Sequence, residues 1–411
     1  MPRVTIKSSA MFKVLKTDDK SRARAGIIET SHGEIETPAY AIVGSHGSVK
    51  AVTAEDLKKT GTQVLMMNTY HLWRDLGDDK LKNFIGLHEF SGWDGPIMTD
   101  SGGFQVFSMG AGREKKVGKI LTAKNNFLAS EKDHSCLRIT GDGVYFKDYG
   151  EEFFLDPKKS MWIQEHLGAD IIFAFDEPTS PLHDYEYNKI ALKRTHDWAN
   201  VCLSERKDNK QLLYGIVQGG IFEDLRKESA KYIGSLPFDG FAIGGSFGSS
   251  FNDTKENTYK ELNWTIPYLL EDKPRHLLGI GRIEDILRAV KAGIDTFDCV
   301  IPTREARHGA VWTSKGRVDV KSGKCRGDES PIEDGCRCSS CSIVGIKKKE
   351  LHRMFREKNF EAGKLATIHN IYFFNNLMSK IRAAIFNGSF EVLEKHILGS
   401  ETSVHRYIHA Q

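Results

Sequence analysis

The sequence predicts an α/β protein whose main domain is a (β/α)8 TIM barrel. Short apolar runs that end in polar or glycine-rich tails alternate with segments of helical periodicity, over roughly the 250 residues that such a barrel needs. Apolar strands buried on both faces and separated by helices are typical of a parallel sheet. About seven such units fit a closed barrel better than a doubly wound sheet. No Gly-x-Gly-x-x-Gly follows the first strand, which disfavours a dinucleotide-binding fold.

The elements can be predicted in chain order. Residues 22–43 alternate apolar and polar side chains around turn signals, so we expect a β-hairpin that opens the domain. The predicted strands with their polar tails follow near residues 64–71, 96–105, 171–178, 214–220, 241–246, 277–281 and 294–307. Amphipathic segments between them predict helices at 160–167, 188–205, 222–233 and 283–292. A lysine-rich stretch at 111–150, with a turn at residues 141–143, predicts a hairpin excursion.

Composition excludes several classes of protein. The apolar fraction of 40% and the charged fraction of 27% are typical of a soluble globular chain. The formal net charge is only +3, so a surface that binds nucleic acid must be local. The N-terminus has no apolar core typical of a signal peptide, and no run of about 18 apolar residues predicts a membrane span. We therefore expect a cytoplasmic protein.

Three cysteines crowd together at Cys336, Cys338 and Cys341. Thiolates at this spacing on a tight loop can face one tetrahedral ion, and Zn²⁺ is the ion expected. Candidates for the fourth ligand are His369, His352 and Cys325. With no open position and no acid nearby, the site is expected to be structural.

The domain organisation follows from these elements. Residues 1–308 are expected to form the barrel, with its N-terminal hairpin and the excursion at about 111–150. A zinc-binding subdomain at 309–370 is inserted near the C-terminus, and residues 371–411 supply a helix that closes the barrel and a tail.

Two acids, Asp100 and Asp298, follow different predicted strands, and active sites of such barrels lie at the carboxyl ends of the strands. Paired carboxylates there suggest glycosidic chemistry, with one nucleophile and one acid/base. The alternative is a capping or salt-bridge role for each acid. Asp176 and Gln218 end two further strands and could recognise a purine edge or serve as structural hydrogen-bond partners.

Glycines and arginines accompany these acids. The pairs Gly102-Gly103 and Gly244-Gly245 allow a ligand to approach the backbone closely, or simply form tight turns. Arg304 and Arg307, just beyond Asp298, are local basic features suited to a polyanion. The lysines at 347–349 are more typical of a solvated helix face.

Taken together, four motifs resemble tRNA-guanine transglycosylase, in order and over roughly residues 22–390. The motifs are Thr99-Asp100-Ser101-Gly102-Gly103-Phe104-Gln105, Gly215-Ile216-Val217-Gln218-Gly219-Gly220, Phe297-Asp298-Cys299-Val300-x-Pro302-Thr303-Arg304, and the cysteine cluster followed by Thr367-Ile368-His369-Asn370. The resemblance implies exchange of guanine at the wobble position, 34, of GUN-anticodon tRNAs for a 7-deazaguanine, queuine or preQ1, in queuosine modification. It implies no nucleotide cofactor, one structural Zn²⁺ per chain, and a homodimer.

The resemblance also implies roles for individual residues. Asp298 matches the nucleophile that attacks ribose C1′ and holds the RNA covalently, and Asp100 matches the general acid/base. A retaining double displacement is what paired carboxylates predict. The positions that match base-binding residues are Asp176, Gln218, Gly245, Leu278, Gly248 and Phe104. Those that match tRNA-binding residues are Arg304, Arg307 and Thr303, and those that match zinc ligands are Cys336, Cys338, Cys341 and His369.

Some positions depart from the common bacterial pattern. Pro178 stands where many members have cysteine, Gly248 replaces a bulky valine, and Ser250 replaces a glutamate that supports preQ1 binding. A glycine removes side-chain volume, so we expect a wider pocket that accepts queuine. The aromatic-rich segment of the usual dimer interface is altered at 350–354, so a homodimer is expected with a rearranged interface.

Three alternatives belong to other classes. A non-catalytic RNA-binding subunit is disfavoured because both acids are present. A relative that inserts deazaguanines into DNA is disfavoured by the full arginine motif. An archaeal type that acts on the D-arm carries an extra C-terminal region, for which about twenty-five residues beyond the closing helix are too few.

Overall fold

The computed structural model describes residues 11–107, 137–148, 150–180, 183–207, 210–245 and 255–401. Two segments of functional interest, 108–136 and 246–254, lie outside these ranges. The strands in chain order are β1 (Phe12–Thr17), β2 (Arg24–Thr30), β3 (Gly33–Thr37), β4 (Ala39–Val43), β5 (Leu65–Met67), β6 (Ile97–Thr99), β7 (Leu137–Ile139), β8 (Val144–Asp148), β9 (Glu151–Leu155), β10 (Ile171–Phe173), β11 (Leu212–Val217), β12 (Gly240–Ile243), β13 (Arg275–Leu277), β14 (Thr296–Cys299), β15 (Ala310–Thr313) and β16 (Gly316–Asp319).

The helices lie between and after these strands. They are α1 (Ala54–Lys59), α2 (Thr69–Leu81), α3 (Leu87–Ser91), α4 (Pro157–Leu167), α5 (Tyr185–Glu205), α6 (Glu223–Ser235), α7 (Lys255–Thr265), α8 (Ile283–Ala292), α9 (Ile301–Arg307), α10 (Ser339–Ser342), α11 (Lys348–Arg356), α12 (Phe360–Phe386) and α13 (Phe390–Glu401), with short 3-10 turns at Ile266–Tyr268 and Gly323–Cys325. The four helices predicted from amphipathic segments are confirmed as α4, α5, α6 and α8.

Eight parallel strands close the barrel, and the predicted fold class is confirmed. Their order around it is β4, β5, β6, β10, β11, β12, β13 and β14, and β14 pairs with β4 to complete the circle. The sequence predicts seven of the eight strands and places the segment of β4 in the opening hairpin. That prediction is wrong for β4, whose five residues are all apolar and of which the first four are buried, as is typical of a parallel strand. Pro38 precedes this strand and cannot donate to the ladder of β3.

The hairpin itself covers the amino-terminal opening of the barrel. Strands β1, β2 and β3 form an antiparallel sheet, and Phe12, Ile28 and Ile35 from it share one buried cluster with barrel residues such as Met66 and Phe173. A larger cluster fills the space between the strands and the surrounding helices. The opposite, carboxyl-terminal end of the barrel is therefore the end available for a site.

The long helix α12 joins the barrel to the cysteine-rich segment. It packs against β4, β15 and α9. The fully buried amide of Asn370 donates to the carbonyls of Pro302 and Ala310 at 3.0 and 3.1 Å and accepts from the N–H of Trp312 at 2.9 Å. The predicted boundary at residue 370 lies inside this helix.

The described part of the excursion is a small antiparallel sheet. Strands β7, β8 and β9 pair in order, and the predicted turn at residues 141–143 connects the first two. In the described parts of the chain, no helix combines the length and apolar character needed to span a membrane.

Candidate active site

The predicted site residues converge because parallel strands bring their carboxyl ends to one rim of the barrel. Asp100 directly follows β6, Gln218 follows β11, Leu278 follows β13, and Asp298 lies in β14. Asp176 stands three residues beyond the end of β10. Strand topology therefore places the five side chains at the same mouth.

Asp100 is held by groups from two neighbouring loops. Its carboxylate accepts hydrogen bonds from the Asn68 side-chain amide at 2.5 Å, the Thr69 N–H at 3.0 Å and the Gly102 N–H at 3.1 Å. Asn68 caps the N-terminus of α2, accepting from the N–H of His71 at 2.9 Å. The cap therefore fixes the amide that orients the acid.

Burial raises the pKa of Asp100 to about 7, and the negative charge of Asp298 adds to this rise. The two backbone N–H donors and the Asn68 amide lower the pKa and only partly offset burial. A carboxyl group whose pKa lies near neutrality can both give and accept a proton at physiological pH. Asp100 thus has the property expected of a general acid/base.

Asp298 has a different environment. Its Oδ1 lies 3.2 Å from Nε2 of His276 and accepts from the N–H of Gly279 at 3.0 Å. The fully buried His276 ring lies in β13, and its Nδ1 is 2.9 Å from the Thr296 hydroxyl. Because a carboxylate only accepts, Nε2 carries the proton, and in the neutral ring Nδ1 accepts from Thr296. The side chain of Asp298 remains 17% exposed, so the oriented carboxylate can be reached from the mouth.

Asp176 and Gln218 form a buried polar pair. The Gln218 amide donates to Asp176 at 2.7 Å, and burial raises the pKa of Asp176 to about 6. A Cβ at Gly244 would lie 2.3 Å from Nε2 of Gln218. A side chain at position 244 would therefore push the Gln218 amide out of its present position, a consequence that the sequence alone does not distinguish from a tight turn.

The remaining predicted base-binding residues differ in their exposure to solvent. The Phe104 side chain is 63% exposed at the start of a helical turn after Asp100. Leu278 is half-buried, and its N–H donates to the carbonyl of Ile243 at 3.2 Å. Gly245 is half-buried just beyond β12. Gly248 lies outside the described residues.

The predicted tRNA-binding residues lie on α9, which begins at Ile301, three residues after Asp298. Arg304 is exposed, and Arg307 is half-buried one helical turn later. Burial lowers the pKa of Arg307, and the charge of Arg304 lowers it further. Thr303 is not at the surface with them, because it is buried and its hydroxyl donates to the carbonyl of Val300 at 3.3 Å.

The four residues that match zinc ligands are brought together. Nδ1 of His369 lies 3.6, 3.7 and 3.4 Å from the sulfurs of Cys336, Cys338 and Cys341. Bonds of usual zinc lengths in a tetrahedron separate nitrogen from sulfur by about 3.6 Å, so the cluster fits such an ion. Nε2 of His369 donates to the carbonyl of Trp312 at 2.8 Å, leaving Nδ1 as the ligand atom.

The two other candidates for the fourth ligand are engaged elsewhere. His352 Nδ1 lies 2.9 Å from the carbonyl of Val320, and the Cys325 thiol lies 3.7 Å from the carbonyl of Asp319. Of the three candidates, His369 is therefore the one that joins the three cysteines in a cluster that could hold a metal ion.

Two residues that orient the acids are not among those predicted from the sequence. His276 lies in β13 between Arg275 and Leu277, just ahead of the apolar run that predicts this strand, and its only signal was a polar residue at that place. Asn68 directly follows β5, as Asp100 directly follows β6. This position at the end of a barrel strand was the signal in the sequence that could have identified it.

Similarity to known proteins shows the family of the chain. Residues 18–403 match the family model described as queuine tRNA-ribosyltransferase. A protein named putative queuine tRNA-ribosyltransferase from Archaeoglobus fulgidus is 43% identical, over 94% of this chain and 99% of the relative. Queuine tRNA-ribosyltransferases from Roseiflexus sp. and Macrococcus caseolyticus are 39% and 40% identical, over 94% and 92% of this chain and 99% and 93% of the relatives. The chain therefore belongs to the queuine tRNA-ribosyltransferase family.

Proposed function

We propose that the protein is a tRNA-guanine transglycosylase, a pentosyltransferase that exchanges guanine at wobble position 34 of GUN-anticodon tRNAs for a 7-deazaguanine in queuosine modification. The observation that carries this proposal is the contrast between two acids at one barrel mouth. Asp298 is oriented by His276 and Gly279 and reachable from solvent, whereas burial raises the pKa of Asp100 to about 7. One nucleophile and one proton carrier are the requirements of a retaining double displacement.

In the first half-reaction Asp298 is the nucleophile. An oxygen of its carboxylate attacks ribose C1′ of nucleotide 34 while the bond from C1′ to guanine N9 breaks. Protonated Asp100 gives its proton to N9 of the departing base. The products are free guanine, an Asp298–ribose ester and the Asp100 carboxylate.

In the second half-reaction the incoming base completes the exchange. Ionised Asp100 takes the N9 proton of the 7-deazaguanine, and N9 attacks C1′ as the ester bond to Asp298 breaks. Both acids return to their starting states, and two inversions give net retention at C1′. Closing the cycle needs no water, oxidant or nucleotide cofactor.

Base recognition is assigned to the pair Asp176 and Gln218. A carboxylate can accept from the two donors on the Watson–Crick edge of guanine, and an amide can donate to the acceptors on its other edge. Their mutual hydrogen bond of 2.7 Å supports a preorganised site. Gly245, Leu278 and Phe104 are proposed as its walls, and Gly248 as the position that widens it for queuine rather than preQ1.

The surface beside the barrel mouth is proposed to bind the anticodon loop of the tRNA. Arg304 and Arg307 lie one turn apart on α9, which supports contact with bases or phosphates around the target. Thr303 is assigned a supporting role within that helix, because its side chain is buried.

The cysteine–histidine cluster is proposed to hold one structural Zn²⁺ per chain. Three sulfurs and one imidazole nitrogen form a closed donor set, which supports a structural rather than a catalytic ion. Bound zinc would hold the cysteine loop of the predicted 309–370 subdomain onto α12, which runs on into the closing segment 371–411. The barrel is the predicted domain of residues 1–308. The family resemblance further supports a homodimer, with α11 carrying the altered dimer segment, and the tRNA substrate supports a cytoplasmic location.

One assay tests the function. Labelled guanine is incubated with the enzyme and a tRNA that has a GUN anticodon, with Asp298→Ala alongside. Exchange by the wild type and none by the variant supports the proposal. Equal RNA binding by both proteins with no exchange by either would instead indicate a binding subunit. A tRNA with altered bases around position 34 should lose exchange if Arg304 and Arg307 recognise them.

A further inference from the structure

A second convergence of ligand-type side chains lies at the end of the barrel opposite the active site. His32 stands in the turn between β2 and β3, His88 lies in α3, and Asp170 immediately precedes β10. Their nearest ligand atoms all lie within 4.8 Å of one another. We call these three residues the basal cluster.

The carboxylate of Asp170 is rigidly held. Its Oδ2 accepts from the N–H of Ile97 at 2.9 Å, and its own N–H and carbonyl bond to Ile97 and Leu212 across the start of the barrel strands. The side chain is only 1% exposed. A carboxylate fixed in this way is a preorganised ligand, because its orientation does not depend on what it binds.

The charge on this carboxylate has no permanent counterpart. Within the described residues its ion-pair partners are the two imidazoles, with His32 Nδ1 at 2.7 Å and His88 Nε2 at 3.1 Å. No lysine or arginine among those residues pairs with it. Histidine carries a positive charge only when protonated, and a buried carboxylate is normally paired with a cation or coordinated to a metal.

The donor atoms converge closely enough for a first-row transition ion after a small rearrangement. Metal–ligand bonds of about 2.1 Å place adjacent donor atoms roughly 3.0–3.5 Å apart. Nδ1 of His32 lies 2.7 Å from Oδ1 of Asp170 and Nε2 of His88 lies 3.1 Å from Oδ2, so the imidazoles must move apart to admit an ion beside the carboxylate. The two rings stack at 3.5 Å between centroids, so one ion can take both nitrogens only if a ring turns. The His32 side chain is 41% exposed in a hairpin turn, which leaves solvent on one side of it for that rotation and for water ligands.

We propose that His32, His88 and Asp170 form a divalent-metal site of the two-histidine, one-carboxylate type, separate from the cysteine–histidine cluster. Two imidazoles and a carboxylate favour ions such as Zn²⁺, Co²⁺ or Ni²⁺ over Mg²⁺ and Ca²⁺, which prefer oxygen alone. The bound ion joins the hairpin that covers the barrel to α3 and the start of β10. Its role is therefore structural, and the site does not depend on the proposed reaction.

The test uses untagged full-length protein with its native zinc retained, titrated with Co²⁺. Calorimetry gives the stoichiometry, and the absorption spectrum separates the sites, since cobalt bound by thiolates has intense charge-transfer bands and cobalt bound by nitrogen and oxygen does not. His32→Ala and His88→Gln each remove a ligand. His46→Ala is the matched control, because His46 is an exposed histidine paired with an exposed acid, Asp75.

The expected result is one added Co²⁺ per chain with weak visible bands and a raised Tm. His32→Ala should weaken this binding at least tenfold, because even the loss of a residue that only hydrogen-bonds to a metal ligand typically costs about that much affinity. The same variant should abolish the rise in Tm, whereas His46→Ala should bind Co²⁺ as the wild type does. Failure of the wild type to bind an added ion overturns the proposal, as does equal binding by His32→Ala. If His88→Gln does not fold, His32→Ala alone decides between these results.

Discussion

Nε2 of His276 lies 3.2 Å from Oδ1 of Asp298, and the hydroxyl of Thr296 is 2.9 Å from the other ring nitrogen. The histidine is fully buried in β13, so its ring is held from one side by the Thr296 hydroxyl and directs its N–H at the carboxylate. The N–H of Gly279 also binds Oδ1, so Oδ2 of Asp298 is the oxygen that the proposed reaction would use for attack on C1′.

Replacing this histidine is expected to affect chemistry more than binding. His276→Ala should lower kcat by about 10- to 100-fold, because a nucleophile misplaced by about 1 Å loses that much rate. The KM for tRNA should change little, since the ring does not reach the surface. His276→Gln retains an N–H donor and should recover part of the rate. A KM effect with unchanged kcat would contradict a positioning role.

The pH dependence of the half-reactions follows from Asp100. Burial raises its pKa to about 7, and guanine release needs the protonated acid, so covalent-complex formation should slow as pH rises through about 7. Capture of the incoming base needs the carboxylate, so decay of the complex should slow as pH falls through the same value. Single-turnover rates from about pH 5.5 to 8.5 measure both limbs.

Asn68 provides a second test that Asp100 is the source of this pH dependence. Its amide is one of the donors that lower the pKa of Asp100, so Asn68→Ala should move both limbs to higher pH. Asn68→Ser retains a capping side chain for α2 and separates this effect from loss of the helix cap, which costs about 1 kcal/mol. Rates that do not depend on pH near 7 in the wild type would rule out Asp100 as the proton carrier.

The contact between Gly244 and Gln218 leads to a prediction about base affinity. A methyl group at Gly244 would lie 2.3 Å from Nε2 of Gln218 and displace the amide from Asp176. Gly244→Ala should raise the KM for the incoming base by about tenfold or more, the effect of losing a hydrogen bond worth roughly 1.5 kcal/mol to a charged group. Gly323→Ala, where a Cβ would meet open space, is the control. An unchanged KM would remove this pair from base recognition.

Metal loss is expected to destabilise the protein before it affects catalysis directly. In elemental analysis His369→Ala should lack the proposed zinc, and its Tm should be lower, because the ion would fasten the cysteine loop to α12. His352→Ala, whose ring bonds to the carbonyl of Val320, should keep its zinc. Retention of a full equivalent by His369→Ala in the cysteine–histidine cluster would show that His369 is not the fourth ligand.

Much of this architecture could be predicted because the signals are local. Apolar runs with polar tails identify parallel strands, and the shared direction of the strands brings Asp100 and Asp298 to one rim. The strand β4 was missed because its five apolar residues follow a true hairpin without a helix between them. The cysteines were found from their spacing, which left three candidates for the fourth ligand; the resemblance pointed to His369, and the fold brings this residue of α12 onto the cysteine loop.

What could not be predicted depends on contacts between distant segments. The raised pKa of Asp100 arises from burial, which no stretch of sequence specifies. His276 acts on a residue 22 positions away, and the steric reason for Gly244 is the side chain of Gln218 in another loop. The inward orientation of Thr303, which the motif grouped with the arginines, likewise follows from the packing of α9.

The central claim is that Asp298 forms a covalent bond to the tRNA. The most direct measurement is to mix enzyme with labelled GUN-anticodon tRNA, without an incoming base, and to separate the products on a denaturing gel. The account predicts a labelled protein–RNA adduct that disappears when 7-deazaguanine is added and does not form with Asp298→Asn. An adduct of equal yield with Asp298→Asn, or base exchange by the wild type with no adduct at any time, would contradict it.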